Sequence, residues 1–184
     1  MTHGHLISTP LGDVVLCAEN DFLTGAFFVG QKHFPSLSVV PPSHPVPAPV
    51  RQAHTQLAEF FSGKRRAFTI PFRLSGTPFQ QQVWKELFVI PYGTVLSYGT
   101  IAERMGLGRG HARAVGSAAS RNPVSVIVPC HRVVSGTGHL TGYAGGIDRK
   151  RALLMLENAL ENPLENNADA SAAIDPQYHL DIPR

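Results

Sequence analysis

The 184-residue sequence predicts an α/β N-terminal part with a small, mainly antiparallel sheet, followed by a mainly α C-terminal domain with a helix-turn-helix. Three observations lead there. Residues 6–30 consist of short apolar runs separated by turn residues, which is strand patterning. Residues 35–49 hold six of the fifteen prolines and read as an extended connection rather than an element. From residue 76 onward the apolar spacing turns helical, with cap residues at the breaks. The resulting division is an N-terminal scaffold domain over 1–75, a second domain over 76–159, and a polar, acidic tail over 160–184 that is expected to be disordered. With 43% hydrophobic residues, the chain can build one large core or two small ones.

Taken in order, LISTPLG, VVLCA and LTGAFFVG supply strands, with Gly12 and Glu19-Asn20-Asp21 as turn material. A helix from about Val50 to Phe61 should bury Leu57, Phe60 and Phe61, and FTIPFRL (68–74) reads as a further strand. Thr77-Pro78-Phe79-Gln80 is a capping box with proline at the first helical position, so a helix starts there. Phe79, Val83 and Leu87, with Trp84 and Phe88, form its core stripe, and Pro91-Tyr92-Gly93 ends it. Ser97 can cap a second helix through Ile101 and Met105, which Gly106 and Gly108 break. A third helix follows from about His111 to Ser120. Two short helices joined by a tight glycine-containing turn, the second carrying arginines, fit a helix-turn-helix. Asp148 is the expected N-cap of a last helix, on which Leu153, Leu156, Glu157 and Leu160 fall at i, i+3, i+4, i+7. That spacing puts Glu157 on or beside a buried face, where a carboxylate needs a hydrogen-bonded partner. An edge glutamate reaching solvent satisfies the same periodicity.

Composition narrows the function classes. No apolar run approaches membrane-spanning length, and MTHGHLISTPLG lacks the charged and hydrophobic regions of a signal peptide. Two cysteines, Cys17 and Cys130, without a C-x-x-C pair support neither a disulfide framework nor a thiolate zinc site. A reduced, cytoplasmic protein without metal or cofactor is the expectation, with most of the nine histidines at the surface. Charge is uneven. Residues 1–156 carry 15 Lys+Arg against 7 Asp+Glu, whereas 157–184 carry one Arg against six acids. Within 104–151, Arg104, Arg109, Arg113, Arg121, Arg132, Arg149, Lys150 and Arg151 face a single acid, Asp148. Such a basic face favours a polyanion, most economically nucleic acid, although an ordinary solvated surface has the same look.

Two features point to chemistry. In VSVIVPCHRVV (124–134), which reads as a buried strand, Cys130 stands directly beside His131. The thiolate is the reactive form of cysteine, and a neighbouring imidazole or guanidinium lowers its pKa. Pro129 stops or turns the strand, leaving Cys130 at a rim, while a packed structural cysteine is the plain alternative. The second feature is the third helix, where Ala112, Ala114, Gly116, Ser117, Ala118 and Ala119 leave Val115 as the only bulky apolar residue. Ala114, Ser117, Ala118 and Arg121 share one face. A helix with ordinary side chains is about 10–12 Å across and the DNA minor groove about 6 Å wide, so a small-residue face suits close approach to a widened minor groove. Tight helix–helix packing also uses small residues. Arg113, near the N-terminal turn, suits a probe into a duplex.

HARAVGSAASRNPVSVIVPCHRVV (111–134), GYAGG (142–146) and the glutamate on the following helix resemble the O6-alkylguanine-DNA alkyltransferase family. GTPFQQQVWKEL and IPYGTVLSYGTIA match the same family upstream, and weaker similarity extends through TPLG (9–12). The resemblance implies a winged helix-turn-helix and a DNA-binding, alkyl-acceptor role for 76–159. The implied activity is that of a methylated-DNA–protein-cysteine methyltransferase. This direct-reversal repair protein moves the alkyl group of O6-alkylguanine, with O4-alkylthymine a second candidate, irreversibly and stoichiometrically to its own Cys130. His131 would act as base through a water, and Glu157 would orient the imidazole. Tyr98 would hydrogen-bond the target guanine, Tyr143 and the backbone around Val133 and Ala144 would line the base pocket, and Asn122 would tie the helix-turn-helix to the Cys130 segment. Arg113 would fill the gap left by a flipped-out nucleotide, with Ala112, Ala114, Ser117, Ala118 and Arg121 along the DNA. The partner would be alkylated double-stranded DNA, met through its minor groove by a monomer that binds no membrane. Some relatives carry an N-terminal zinc module, which two cysteines cannot build, and others a small zinc site whose spacing Cys17 does not match.

The chemistry suits cysteine, because a soft thiolate displaces guanine from an sp³ carbon and leaves a thioether that water does not open. Two other classes compete. A non-catalytic lesion-binding protein would lack the acceptor cysteine. A Cys-His-Glu thiol hydrolase would turn over repeatedly and leaves the basic helix-turn-helix unexplained.

Overall fold

Short apolar runs separated by turn residues fold residues 3–28 into three strands laid against one another. In the computed structural model, which describes residues 3–41 and 43–160, these are β1 (His3–Ile7), β2 (Val14–Glu19) and β3 (Phe22–Phe28). With the two-residue β4 (Ser38–Val39) they form a sheet of order β3-β2-β1-β4. The first three strands are antiparallel, with Leu6 opposite Val15 and Leu16 opposite Ala26, and β4 runs parallel to β1. Helix α1 (Ala48–Phe61) packs on β2 and β3, burying Val50, Ala53, Leu57 and Phe60. Thus residues 35–49 are not purely a connection: they hold β4, and α1 begins at Ala48 with a proline in its first turn. Phe61, expected in the core, is only half-buried, with its ring edge-on to Phe60.

Two segments expected as continuous strands are not. In 68–74 only Leu23 and Phe72 bridge, through Leu23 N–H to the Pro71 carbonyl and Arg73 N–H to the Leu23 carbonyl. Pro71 has no N–H to extend the ladder. In 124–134 Val124 bridges Ala26, Val126 then turns at φ 71° between Pro123 and Pro129, and only the last two residues, Val133–Val134, form a short strand. Apolar content alone suggested strands there; the missing proline donors decided otherwise.

The described chain divides into two compact units: residues up to 75 together with 123–127, and 76–122 together with 128–160. In the second, Thr77 and Gln80 close the capping box of α2 (Pro78–Phe88) reciprocally, and Val83, Trp84 and Leu87 are buried. Ser97 Oγ accepts from Thr100 N–H and caps α3 (Tyr98–Arg104). A 3-10 turn at Arg109–His111 leads into α4 (Ala112–Ala119). Trp84 Nε1–H donates to the Ala118 carbonyl at 2.9 Å, fixing α4 on α2. Strand β5 (Leu96–Ser97) pairs in parallel with β6 (Val133–Val134). The last helix, α5 (Ile147–Leu156), is entered through Gly146 at φ 93°, so Asp148 lies in the first turn and is not the N-cap. The helix ends before Leu160, and Asn158 turns at φ 55°, leaving Leu160 exposed rather than on the buried face.

An N-terminal, mainly antiparallel sheet followed by a helical domain is the architecture. No helix among the described residues is long and apolar enough to cross a membrane. The expectation of a disordered tail falls, beyond Leu160, outside the described residues.

Candidate active site

Cys130 opens a single 3-10 turn, Cys130–Arg132, between Pro129 and β6. The turn buries Cys130, so the nucleophile is not at a rim. Arg132 N–H closes the turn on the Pro129 carbonyl, and Val133 N–H donates to the Cys130 carbonyl. Asn122, just past α4, donates through Nδ2 to the Val128 carbonyl at 2.7 Å and to Cys130 Sγ at 3.2 Å. One buried amide therefore ties the end of the helix-turn-helix to the acceptor segment.

His131 and Glu157 meet across 26 residues of sequence. His131 Nε2 lies 2.8 Å from Glu157 Oε1, with both side chains fully buried. Arg132 adds a two-pronged contact, Nε to Oε2 and Nη2 to Oε1, each 2.9 Å. Burial opposes ionisation of Glu157, but His131 and Arg132 hold its pKa at about 2. An ionised Glu157 accepts Nε2–H from His131, which makes Nδ1 the basic nitrogen. Nδ1 is buried and has no protein hydrogen-bond partner among the described residues. Burial lowers the His131 pKa, as do the charges of Arg132 and Lys150, against the pull of Glu157, so the ring is a neutral imidazole at neutral pH.

Burial pushes Cys130 up, and the Asn122 amide, the Lys150 ammonium and a backbone hydrogen bond at Cys130 pull it down, rather than the neighbouring imidazole or guanidinium. His131 and Arg132 are engaged by Glu157. Lys150 was missed as a site residue and counted with the basic face. It is fully buried, donating from Nζ to the Val133 and Thr141 carbonyls, the latter at 2.7 Å. Burial lowers its pKa to about 8. The signal was present: Lys150, Leu153, Leu154 and Glu157 fall at i, i+3, i+4, i+7 on the buried face of α5 and its C-cap.

The residues expected to line the base pocket have the following surroundings. Tyr98 Oη–H donates to the Thr141 carbonyl at 3.1 Å, with Lys150 Nζ 5.7 Å from its ring, and burial raises its pKa to about 12. Tyr143 is buried, its hydroxyl has no protein partner among the described residues, and burial with the nearby Cys130 raises its pKa well above the ordinary value. The Val133 carbonyl is taken by Lys150, although a second lone pair remains. Ala144 is half-buried in the turn before α5.

On α4, Arg113, Ala114 and Ser117 are exposed and Ala112 is half-buried. Arg121 is exposed just beyond the helix and donates to Ser117 Oγ. Ala118, expected on the same face, is buried against Trp84, so part of the small-residue pattern serves helix packing. The basic face likewise loses Arg132 and Lys150 to the interior. Among the described residues no group of three or more His, Cys, Asp or Glu is arranged to hold a metal.

Comparison with known proteins agrees along both parts. A model described as 6-O-methylguanine DNA methyltransferase, DNA binding domain, matches residues 78–159, and one described as the ribonuclease-like domain of the same proteins matches 3–74. The methylated-DNA–protein-cysteine methyltransferase of Mycobacterium tuberculosis is 45% identical over 159 residues, covering 86% of this chain and 94% of that protein. The constitutive one of Bacillus subtilis is 40% identical over 149 residues, covering 80% and 89%. Among solved structures, the Mycobacterium tuberculosis protein in complex with DNA superposes with a TM-score of 0.76 at 42% identity, covering 86% of this chain and 94% of that one. The Pyrococcus kodakaraensis O6-methylguanine-DNA methyltransferase gives 0.55 at 26% identity, covering 85% and 99%. With both domain models matched in order and close relatives spanning most of its length, the chain belongs to the 6-O-methylguanine DNA methyltransferase family.

Proposed function

We propose that this protein repairs O6-alkylguanine in DNA by direct reversal, taking the alkyl group irreversibly onto Cys130. The observation that carries this reading is the buried series Asn122–Cys130–His131–Glu157, which joins a thiol, a neutral base and a carboxylate orienter. The Cys130 proton passes to His131 Nδ1 through a bridging water, and Glu157 stabilises the imidazolium from the other side. The thiolate forms a C–S bond to the alkyl carbon as the C–O6 bond breaks, and the electron pair leaves on guanine. Tyr98, turning its hydroxyl from the Thr141 carbonyl, donates to that developing charge, and the proton held by His131 restores neutral guanine. Tyr143, Val133 and Ala144 enclose the base.

DNA is the partner the family relationship supports. The exposed Arg113, Ala114, Ser117 and Arg121 are proposed to enter the minor groove, Arg113 occupying the space of the flipped nucleotide. The working form is a cytoplasmic monomer, with 76–159 binding DNA and accepting the alkyl group and 1–75 as scaffold. Intact-protein mass spectrometry after mixing with an O6-methylguanine duplex tests the reading. One methyl on Cys130 supports it, and an unmodified protein with repaired DNA sinks it.

A further inference from the structure

Three residues of the turn after α2 touch the acceptor network in ways that the chemistry above does not use. Gly93 N–H donates to Glu157 Oε2 at 3.2 Å. The Ile90 carbonyl accepts from Arg132 Nη1 at 2.5 Å. Tyr92 Oη–H donates to the Leu156 carbonyl at 3.0 Å, and its ring lies 5.7 Å from the Arg132 guanidinium carbon. Gly93 sits at φ +76°, and a Cβ there would meet the Glu157 carbonyl at 3.1 Å. The close approach of this turn to the end of α5 therefore depends on glycine.

We propose that the Ile90–Gly93 turn is a positioning element of the acceptor site, clamping the Glu157–Arg132 pair so that His131 is held in the orientation that takes the Cys130 proton. The proposal rests on reading Cys130, His131 and Glu157 as the alkyl-acceptor machinery. A carboxylate held only by one imidazole rotates freely about its last torsion. Here the Arg132 fork and the Gly93 N–H fix the carboxylate plane, and Oε1 faces His131. The turn in turn fixes the fork, since Ile90 takes the remaining Nη1 hydrogen bond. These donors also spread the carboxylate charge, so Glu157 orients the ring without trapping a proton on it. The charged and titratable groups acting on His131 are Glu157 just after α5, Arg132 on the same turn, and Lys150 on α5.

The test is single-turnover methyl transfer from a saturating O6-methylguanine duplex, followed across the acid and neutral pH range for Gly93→Ala, Tyr92→Phe and Glu157→Gln. Gly93→Ala should slow the bound-complex rate roughly ten-fold, as small misplacements of catalytic groups do. Its acidic limb should move to higher pH, because the added Cβ pushes the residue-93 N–H off Glu157, and a carboxylate with one donor fewer holds the proton on His131 more strongly. DNA affinity should stay at the wild-type value. Tyr92→Phe keeps the ring beside Arg132 and should shift the limb in the same direction by less. A folded Gly93→Ala protein with a wild-type rate, or a slowed one whose limb has not moved, overturns the clamp. If Gly93→Ala fails to fold, a Tyr92→Phe profile superimposable on wild type does so instead. Should Glu157→Gln itself transfer at the wild-type rate, the acceptor-site reading fails; if it is slow while both turn variants match wild type, only the clamp fails.

Discussion

His131 Nε2 stands 2.8 Å from Glu157 Oε1 in an environment where neither side chain touches solvent. Burying that carboxylate is tolerable only because Arg132 and the Gly93 N–H complete its hydrogen bonding. The same contacts leave His131 with one tautomer and one free basic nitrogen. Stability and reactivity are thus carried by a single network, and acid should affect both.

The acid dependence has a definite sign. Glu157 ionises at about 2 in the folded protein against an ordinary 4.5. A depressed carboxylate stabilises the fold fully above its unfolded pKa and loses that contribution as pH falls through the folded one. His131 is also lowered from 6.5, so on acidification the unfolded chain takes up that proton first, and stability falls there too. Denaturant unfolding at a series of pH values should show stability declining below the ordinary histidine range and again between 4.5 and about 2. Glu157→Gln should abolish the second decline and cost about 3 kcal/mol at neutral pH, since Arg132 keeps a buried charge without its counter-ion. Transfer should slow in parallel because the ring loses its orienter.

Thiol activation separates two residues. Cys130→Ala should abolish alkyl transfer while keeping affinity for lesion DNA, because the exposed arginines lie elsewhere. Lys150→Met removes the positive charge that counters burial of the thiol, so the Cys130 pKa rises further. The pH at which Cys130 reacts with a small alkylating reagent should move upward in that variant. Two carbonyls, of Val133 and Thr141, also lose a donor, which destabilises the fold by about 1–3 kcal/mol. An unshifted reaction profile would remove Lys150 from thiol activation.

What could be read without coordinates was local. The Thr77–Gln80 box, the Ser97 cap and the short helices depend on neighbours in sequence, and they appear as expected. Periodicity placed Glu157 on or beside the buried face without deciding between burial and an edge reaching solvent, and the same spacing puts Lys150 on that face; both are buried. The positive charge of Lys150 drew it into the basic face instead. Arg132 as the second partner of Glu157 depends on how β6 and α5 approach, which no spacing encodes. The segments at 68–74 and 124–128 have strand-like composition, yet Pro71, Pro123 and Pro129 remove the donors a ladder needs.

DNA engagement should depend on fewer charges than composition suggests. Arg132 and Lys150 are buried and Arg109 is paired with Glu103 at 2.7 Å, which leaves Arg113 and Arg121 as the exposed arginines on or just after α4. Binding should still weaken steeply with salt, and losing one phosphate contact should lower the log–log slope by about 0.9. Arg113→Ala should impair extrusion more than bulk binding, so its defect should shrink on a free O6-alkylguanine base. Equal losses on base and duplex would make Arg113 a pocket or structural residue.

Each molecule should react once. Cys130 is placed to attack an alkyl carbon, and the product thioether offers no carbonyl for water, unlike the acyl-thioester of a hydrolase. With limiting protein and excess lesion, repaired DNA should plateau at one lesion per active protein. Peptide mapping should find the alkyl group on Cys130 and not on Cys17, whose pKa burial raises to about 11. Alkylation should also weaken the fold. Cys130 Sγ accepts from Asn122 at 3.2 Å in a buried site, and Asn122 holds Val128 as well. An added alkyl carbon must displace that amide or overpack the pocket, and overpacking costs about 1–3 kcal/mol. Thermal unfolding of the alkylated protein should therefore begin at a lower temperature than that of the free form. Asn122→Ala, which opens space beside the sulfur, should narrow the gap between alkylated and free protein although it destabilises both. Sustained turnover, or an alkyl group on any other residue, would overturn the single-use mechanism in favour of a hydrolase.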